Sequence, residues 1–209
     1  MILAIETSSP VCGVSLYTLS GEKDSEVLIH PRVHAEKLAV ICKNLLERNS
    51  LSVSDLKAVA VSGGPGSFTG LRIGMSFAKG LVYAHNIPLV SVNTLLAFRS
   101  AMIDKEKPGK NTVFIIPSHR DFIYTLDYKG EHINYLKKMD FHKYYPDCNH
   151  FFSNQDLSGF EEMERQIEPI MPAYIGRYFF KDSSLSVTTD YDRVKIYYGS
   201  RYEPVQWKP

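Results

Sequence analysis

Hydrophobic and polar positions change period several times along the chain, and each change marks an element. Residues 2–6 form a short apolar run that ends at Glu6 and the polar stretch Thr7-Ser8-Ser9-Pro10, the pattern of a buried strand closed by a turn. Residues 11–18, VCGVSLYT, alternate and are rich in β-formers, and Ser20-Gly21 turns the chain into a third strand over 26–30. Three strands joined by tight turns predict an antiparallel meander. Over 34–49 the period becomes helical: Leu38, Ile41, Cys42, Leu45 and Leu46 share a face, while Lys37, Lys43, Glu47 and Arg48 lie elsewhere. Ser52 and Asp55 have the spacing of a capping box around one short turn. Residues 57–62, KAVAVS, are apolar enough for a central parallel strand.

Further helices are predicted over 69–85 and from 93 to about 103, with a strand over 89–92 between them. The charged Pro-Gly stretch 104–110 reads as a linker. Beyond it, 112–116 and 122–128 predict a hairpin, and 160–167, FEEMERQI, a helix that Pro169 and Pro172 then interrupt. A meander, then alternating helices and strands, then a second β-rich stretch opening on a hairpin predict an α/β chain with a duplicated ribonuclease-H-like fold. The first lobe is expected over 1–103 and a reduced second lobe over 111–209, its last residues returning to the first.

The balance of 24 basic and 23 acidic side chains gives no support for a dedicated nucleic-acid binder, which carries a basic excess. Cys12, Cys42 and Cys148 lie far apart with no C-x-x-C, which argues against a disulfide framework or zinc knuckle and for buried thiols in a reducing compartment. No apolar run approaches the roughly 18 residues a spanning helix needs, and the first residues lack the basic region of a secretory signal. A cytoplasmic protein with no membrane contact is the expectation.

Candidate chemistry centres on residues 62–74, SGGPGSFTGLRIG. No Gly-Lys pair satisfies the Walker spacing, and Thr69 stands where the dinucleotide pattern needs its third glycine. Ser67 and Thr69 lack the G-x-S-x-G elbow of a nucleophile. His30 and His34 have a ligand-like interval, but Pro31 between them argues for a loop pair. Glu6 ends the first strand, and Thr7 and Ser8 after it either offer hydroxyls and amides to a phosphate or simply form the turn. In the helix after the loop, Arg72, Ser76 and Lys79 make a narrow polar stripe. Leu71, Met75 and Val82 flank it on one side, Ile73 and Phe77 on the other, and Gly70, Gly74 and Ala78 form a ridge of small residues. Such a helix is either sandwiched inside the fold or buries its second face against a partner.

The stretch GPGSFTGLRIG, with KAVAVS before it, ILAIETS at the start, HAEKL opening the first long helix and AKGLVYAHNIPLVSVNTLLAF after the loop, resembles the TsaB (YeaZ) family. In the second half only Arg120 within SHRDFIYTLDY and the closing YYGSRYEP carry the resemblance, and the family usually has Asp where this chain has Ser118. The resemblance implies the actin/sugar-kinase/heat-shock ATPase fold. It also implies a non-catalytic subunit of the bacterial machinery that makes threonylcarbamoyladenosine in transfer RNA. The implied partners are the metal-bearing catalytic paralogue (TsaD family) and a small P-loop ATPase (TsaE family), with tRNA met through the assembly. Homodimerisation of the isolated chain stays open. The resemblance selects the partner reading of the helix, with an interface of Gly70, Leu71, Arg72, Gly74, Met75, Ala78, Lys79 and Val82. Anion or nucleotide contacts would fall on Glu6, Thr7, Ser8, Gly64, Gly66 and Ser67. The catalytic paralogue carries Val-Asn-His-x-x-x-His; here Thr94 and Phe98 replace both histidines, so no metal and no catalytic residue are expected. The chain is expected to have no cofactor of its own, ATP or ADP entering only with the assembled complex. The alternative is an autonomous ATPase or kinase of the same fold.

Overall fold

The computed structural model describes residues 1–30 and 32–199. Two five-stranded sheets carry the fold. The first contains β1 (Ile2–Glu6), β2 (Val11–Thr18), β3 (Gly21–Ile29), β4 (Val59–Ser62) and β5 (Leu89–Val92), in the order β3-β2-β1-β4-β5. The second contains β6 (Thr112–Pro117), β7 (Phe122–Asp127), β8 (Asn134–Lys137), β9 (His150–Ser153) and β10 (Glu164–Ile167), in the order β10-β9-β6-β7-β8. Both follow one scheme: a three-stranded antiparallel meander whose first strand pairs in parallel with the fourth, and the fourth with the fifth. The duplicated α/β fold expected from the order of elements is present.

The period-2 alternation of the first sheet separates two faces. Leu3, Ile5, Val59 and Val61 pack beneath α1 (His34–Arg48) and α2 (Phe68–Tyr83). On the opposite face Ala4, Ala58 and Ala60 keep the surface shallow, and α5 (Pro172–Lys181) lies against it with Ile175. Close approach is visible at two glycines. A Cβ on Gly13 would sit 3.0 Å from the Pro172 ring, and one on Gly176 2.7 Å from the Tyr17 ring. Between the lobes, α3 (Thr94–Glu106) sends Ala97 toward the first sheet and Leu95, Phe98 and Met102 into the core of the second.

The segment after α5 also returns to the first lobe. Thr188 bridges Leu89, the Tyr191 hydroxyl donates to the carbonyls of Val82 (3.3 Å) and Ile87 (2.9 Å), and Tyr197 N donates to Gly63 O (2.7 Å). Of the closing YYGSRYEP, residues 200–204 lie outside the described residues, as does Pro31. No helix among the described residues is long and apolar enough to cross a membrane.

Three expectations fail. Residues 160–167 are not a helix: Phe160 turns into the second core, and Glu164–Ile167 pairs in parallel with β9 as an exposed edge strand. The FEEMERQI pattern fits a helical period, but the open edge of β9 offers four ladder positions, and pairing overrides propensity. Pro172 starts a helix rather than ending one, since at the first helical position its missing N–H costs nothing. The 104–110 linker is shorter than expected because α3 runs on to Glu106 and stops at Lys107, which adopts φ 49°. The strands β8 and β9 were not visible in the pattern; each has only four residues.

Candidate functional site

The glycine loop leaves β4 and packs directly under the β1–β2 turn. A side chain on Gly66 would run into the Ser8 carbonyl, and one on Gly64, which has φ +100°, into the Tyr197 carbonyl. Three of the loop amides are already engaged. Gly63 N donates to Val92 O (2.7 Å), Gly64 N to Thr94 Oγ1 (3.1 Å) and Ser67 N to Ser8 O (2.7 Å). In the facing turn, Thr7 N donates to Ser62 Oγ (3.2 Å), and Ser8 donates through N (2.6 Å) and Oγ (2.5 Å) to Glu6 Oε1. The Glu6 carboxyl therefore takes the donors that a phosphate would have used. Burial raises it to about 7, against the pull of the Ser8 hydrogen bonds.

These contacts correct the expected anion site. Glu6 and Thr7 are fully buried, and Gly64 is buried beneath Tyr197. Of the six residues assigned to anion or nucleotide contact, only Ser8, Gly66 and Ser67 reach open space. The amides of Gly63, Gly64 and Ser67, bound to their own chain, are not free to meet a phosphate.

The expected partner interface on α2 is corrected as well. Side chains added at Gly70 or Gly74 would strike Thr7, its carbonyl and its hydroxyl respectively, so the small-residue ridge seats the helix on its own β1–β2 turn. Leu71, Met75, Ala78 and Val82 are buried with it. Two residues of the assigned set stay accessible, Arg72 and the half-buried Lys79, on a helix face that also shows Ser76, Tyr83 and half-buried Ile73 and Phe77. Arg72 lies 3.8 Å from the Phe68 ring centroid, and its Nε donates to the Tyr198 hydroxyl (3.3 Å).

The two positions that would hold a metal do not fit one. Thr94 spends its hydroxyl on Gly64 N, and Phe98 is fully buried against Phe114 at 6.4 Å between ring centroids. Among the described residues no group of three or more His, Cys, Asp or Glu side chains is arranged to hold an ion. His34 opens α1 and is buried; its Nε2–H donates to the carbonyls of Ser9 (3.0 Å) and Val11 (3.1 Å), a tautomer fixed because both partners are acceptors. It ties α1 to the first hairpin.

Above the loop lies a cleft of about 650 Å³ between the lobes. Its first-lobe wall is built from the β1–β2 turn, His34, Ser67 and Phe68, with Tyr198 at the margin; its second-lobe wall comes from the β6–β7 turn, Tyr124 and Gln155. The Tyr124 hydroxyl donates to Tyr198 O (2.6 Å), which fastens the returning segment across the cleft mouth. Sequence reasoning missed Phe68, His119, Tyr124 and Gln155 as cleft residues. Two signals existed: the hairpin 112–128 mirrors the first hairpin, and facing turns of duplicated lobes enclose a cleft.

The sequence profile of the family described as TsaD, tRNA N6-adenosine threonylcarbamoyltransferase, matches residues 28–140. A protein of Escherichia coli K12 named tRNA threonylcarbamoyladenosine biosynthesis protein TsaB is 36% identical over 95 residues, covering 46% of this chain and 41% of the relative. The protein of that name in Haemophilus influenzae is 29% identical over 123 residues, covering 59% and 51%. A tRNA N6-adenosine threonylcarbamoyltransferase of Clostridioides difficile is 33% identical over 100 residues, covering 46% and 30%. The chain thus spans about half the length of the curated relatives it matches. In fold it is similar to a Pseudomonas aeruginosa protein described as similar to peptidase YeaZ, with a TM-score of 0.75 at 19% identity over 95% of this chain and 99% of that one. It is also similar to YeaZ from Pseudomonas aeruginosa, with a TM-score of 0.72 at 18% identity over 94% and 98%.

Proposed function

The chain belongs to the TsaD family, on its TsaB (YeaZ) side, and from that premise we propose a non-catalytic scaffold subunit for threonylcarbamoyladenosine synthesis in transfer RNA. It acts by pairing with the metal-bearing catalytic paralogue. A small P-loop ATPase is the second partner, tRNA is met through the assembly, and ATP or ADP belongs to the complex rather than to this chain. The site of action is the cytoplasm.

One observation carries the reading: Thr94 and Phe98 occupy the two ligand positions, and both are committed to structure. Neither a hydroxyl already bound to a loop amide nor a phenyl ring in the core can be recruited by an incoming ion. The bonded amides of Gly63, Gly64 and Ser67 weigh likewise against an autonomous ATPase. Because the glycine ridge is spent on the chain's own turn, the assembly face is assigned to the outward sides of α1 and α2. Arg72, Ile73, Phe77 and Tyr83 lie there, with the half-exposed Val40 of α1.

Reconstitution tests the proposal. The chain mixed with the catalytic paralogue of its own organism should co-elute as a complex, and threonylcarbamoyl transfer to tRNA should require both. The chain alone should transfer nothing. Transfer by the isolated chain, or full activity of the paralogue without it, would sink the reading.

A further inference from the structure

The outward face of α2 carries a cation that the fold holds in place without neutralising it. Arg72 is exposed, yet its guanidinium carbon lies 3.8 Å from the centroid of the Phe68 ring, and its Nε donates to the Tyr198 hydroxyl (3.3 Å). Tyr198 is itself fixed. Its ring lies 5.2 Å from that of Phe68 between centroids, and its carbonyl accepts from the Tyr124 hydroxyl (2.6 Å). Through the returning segment the second lobe thus reaches a helix face of the first. With one side of the guanidinium on a ring and Nε bonded, the Nη1–Nη2 edge remains, the planar fork that takes a carboxylate bidentately. Among the described residues no carboxylate pairs with Arg72 and no acceptor bonds Nη1 or Nη2. Lys79, two turns further along the same stripe, differs. It is half-buried and opens on a depression shared with Asp190 and Asp192 of the returning segment, so carboxylates of the chain itself stand near it.

We propose that Arg72 determines specificity on the assembly face: its fork receives one carboxylate, an Asp or Glu side chain on the surface of the catalytic paralogue, and Tyr198 is the positioning residue that presets it. The proposal rests on the reading of this face as the one that pairs. A fork already held in place loses little side-chain freedom on binding. Its neighbours on the face are half-buried Ile73 and Phe77 and exposed Tyr83, and an arginine set among apolar and aromatic contacts is the usual composition of an interface hot spot. One positive charge is matched by one carboxylate, whereas a phosphate monoester would bring up to two negative charges. A second copy of this chain is disfavoured as the occupant. The helix α2 contains no Asp or Glu, so docking α2 on α2 would bring a cation to a cation.

Calorimetric titration of the purified chain with the catalytic paralogue of its own organism tests it. Arg72→Ala should weaken the complex at least about thirtyfold, the loss of a hot-spot arginine. Arg72→Lys, which keeps the charge but not the fork, should weaken it at least about fivefold. Tyr198→Phe deletes only the hydroxyl; it should weaken binding about two- to tenfold in the parent and not at all beside Arg72→Ala. A purely structural role of Tyr198 would give equal losses in both backgrounds. On the paralogue, one Asp→Asn or Glu→Gln exchange should reproduce the loss and leave Arg72→Ala nothing further to remove. This coupling also decides the case in which Arg72→Ala lowers the melting point. Unchanged affinity of Arg72→Ala, equal losses from Tyr198→Phe in both backgrounds, or no coupled carboxylate on the paralogue would each overturn the proposal. Failure of the unaltered chain to bind the paralogue would overturn the scaffold reading together with this one. A complex that forms and tolerates Arg72→Ala would overturn this one alone.

Discussion

In the first lobe the crossover from β3 to β4 carries the 15-residue α1 and that from β4 to β5 the 16-residue α2; the matching crossovers of the second lobe carry the 4-residue α4 (Phe141–Tyr144) and, among the described residues, no helix between β9 and β10. The strand order is nevertheless the same. On the face where the first sheet has two helices, the second has a plug of rings. Phe141 packs edge-on against Phe160 at 5.0 Å, and Phe151 meets Phe160 at 5.4 Å, over Val113, Ile115 and Ile123. A few large side chains thus cover this face of a five-stranded sheet, since each aromatic buries about 150–250 Å². What rings cannot supply is a long, regular outer surface. Only the first lobe keeps one, along α1 and α2, which is where an assembly face has room to form.

The largest expected effect breaks the plug. Phe141→Ala removes a fully buried ring that no helix is present to replace, and the cost is about 3–5 kcal/mol. The contrast between lobes predicts where the loss appears. Hydrogen exchange should show β9 and β10 amides losing protection well before those of β1 and β4. Equal loss in both sheets would mean that the lobes share one cooperative core and that the difference in their covers has no energetic meaning.

The two turns that face each other across the cleft sharpen the comparison next. The second-lobe turn leaves His119 and Arg120 exposed, whereas the first buries Glu6 completely. Glu6 has a folded pKa of about 7 against 4.5 in the unfolded chain. Between those values the native state holds a proton that the unfolded state has released. Its contribution to stability is therefore fully present below pH 4.5 and is lost as the pH rises through 7. The difference of 2.5 units (7 − 4.5) corresponds to about 3 kcal/mol. Glu6→Gln should flatten this slope, so that the variant matches the parent in acid and exceeds it at pH 8 in urea unfolding. A parent stability that rises from pH 5 to pH 8 would show that Glu6 is ionised in the folded protein.

How much of this was legible in the sequence differs between the same two regions. The first lobe was readable because its helices are long enough to show a period, and because the apolar runs at β1, β4 and β5 end on unmistakable turn residues. Long elements average over noise. The second lobe hides β8, β9 and β10 in runs of four residues, and four residues cannot distinguish a helix from a strand. The fate of the glycine loop was not legible for a different reason. A glycine that receives a ligand, one that receives a partner helix and one that admits a neighbouring carbonyl look identical in sequence. Only the position of Thr7 and Ser8 beneath Gly66, Gly70 and Gly74 separates them. The cleft required two turns nearly 110 residues apart to be placed face to face, which no local pattern encodes.

The smallest and most discriminating prediction sets two glycines of α2 against each other. Gly74 is buried, and a side chain there meets the Thr7 hydroxyl, so Gly74→Leu must displace either the helix or the turn below it. Overpacking of this kind costs about 1–3 kcal/mol or more. Gly80 lies two turns further on, is exposed, and has nothing within 4 Å of an added Cβ. There Gly80→Ala only removes backbone freedom from the unfolded chain and gains about 0.5–1 kcal/mol of helix propensity. In a chain of this length a gain of about 1 kcal/mol appears as roughly 2–4 °C in thermal melting, enough to measure. Opposite signs within one helix therefore map which side of α2 belongs to the fold and which side is left for a partner. A neutral or raised melting point for Gly74→Leu would place the ridge on the outside and return it to the assembly face. A lowered melting point for Gly80→Ala would mean instead that the outward side of α2 is committed to the chain's own packing and has no surface left to offer.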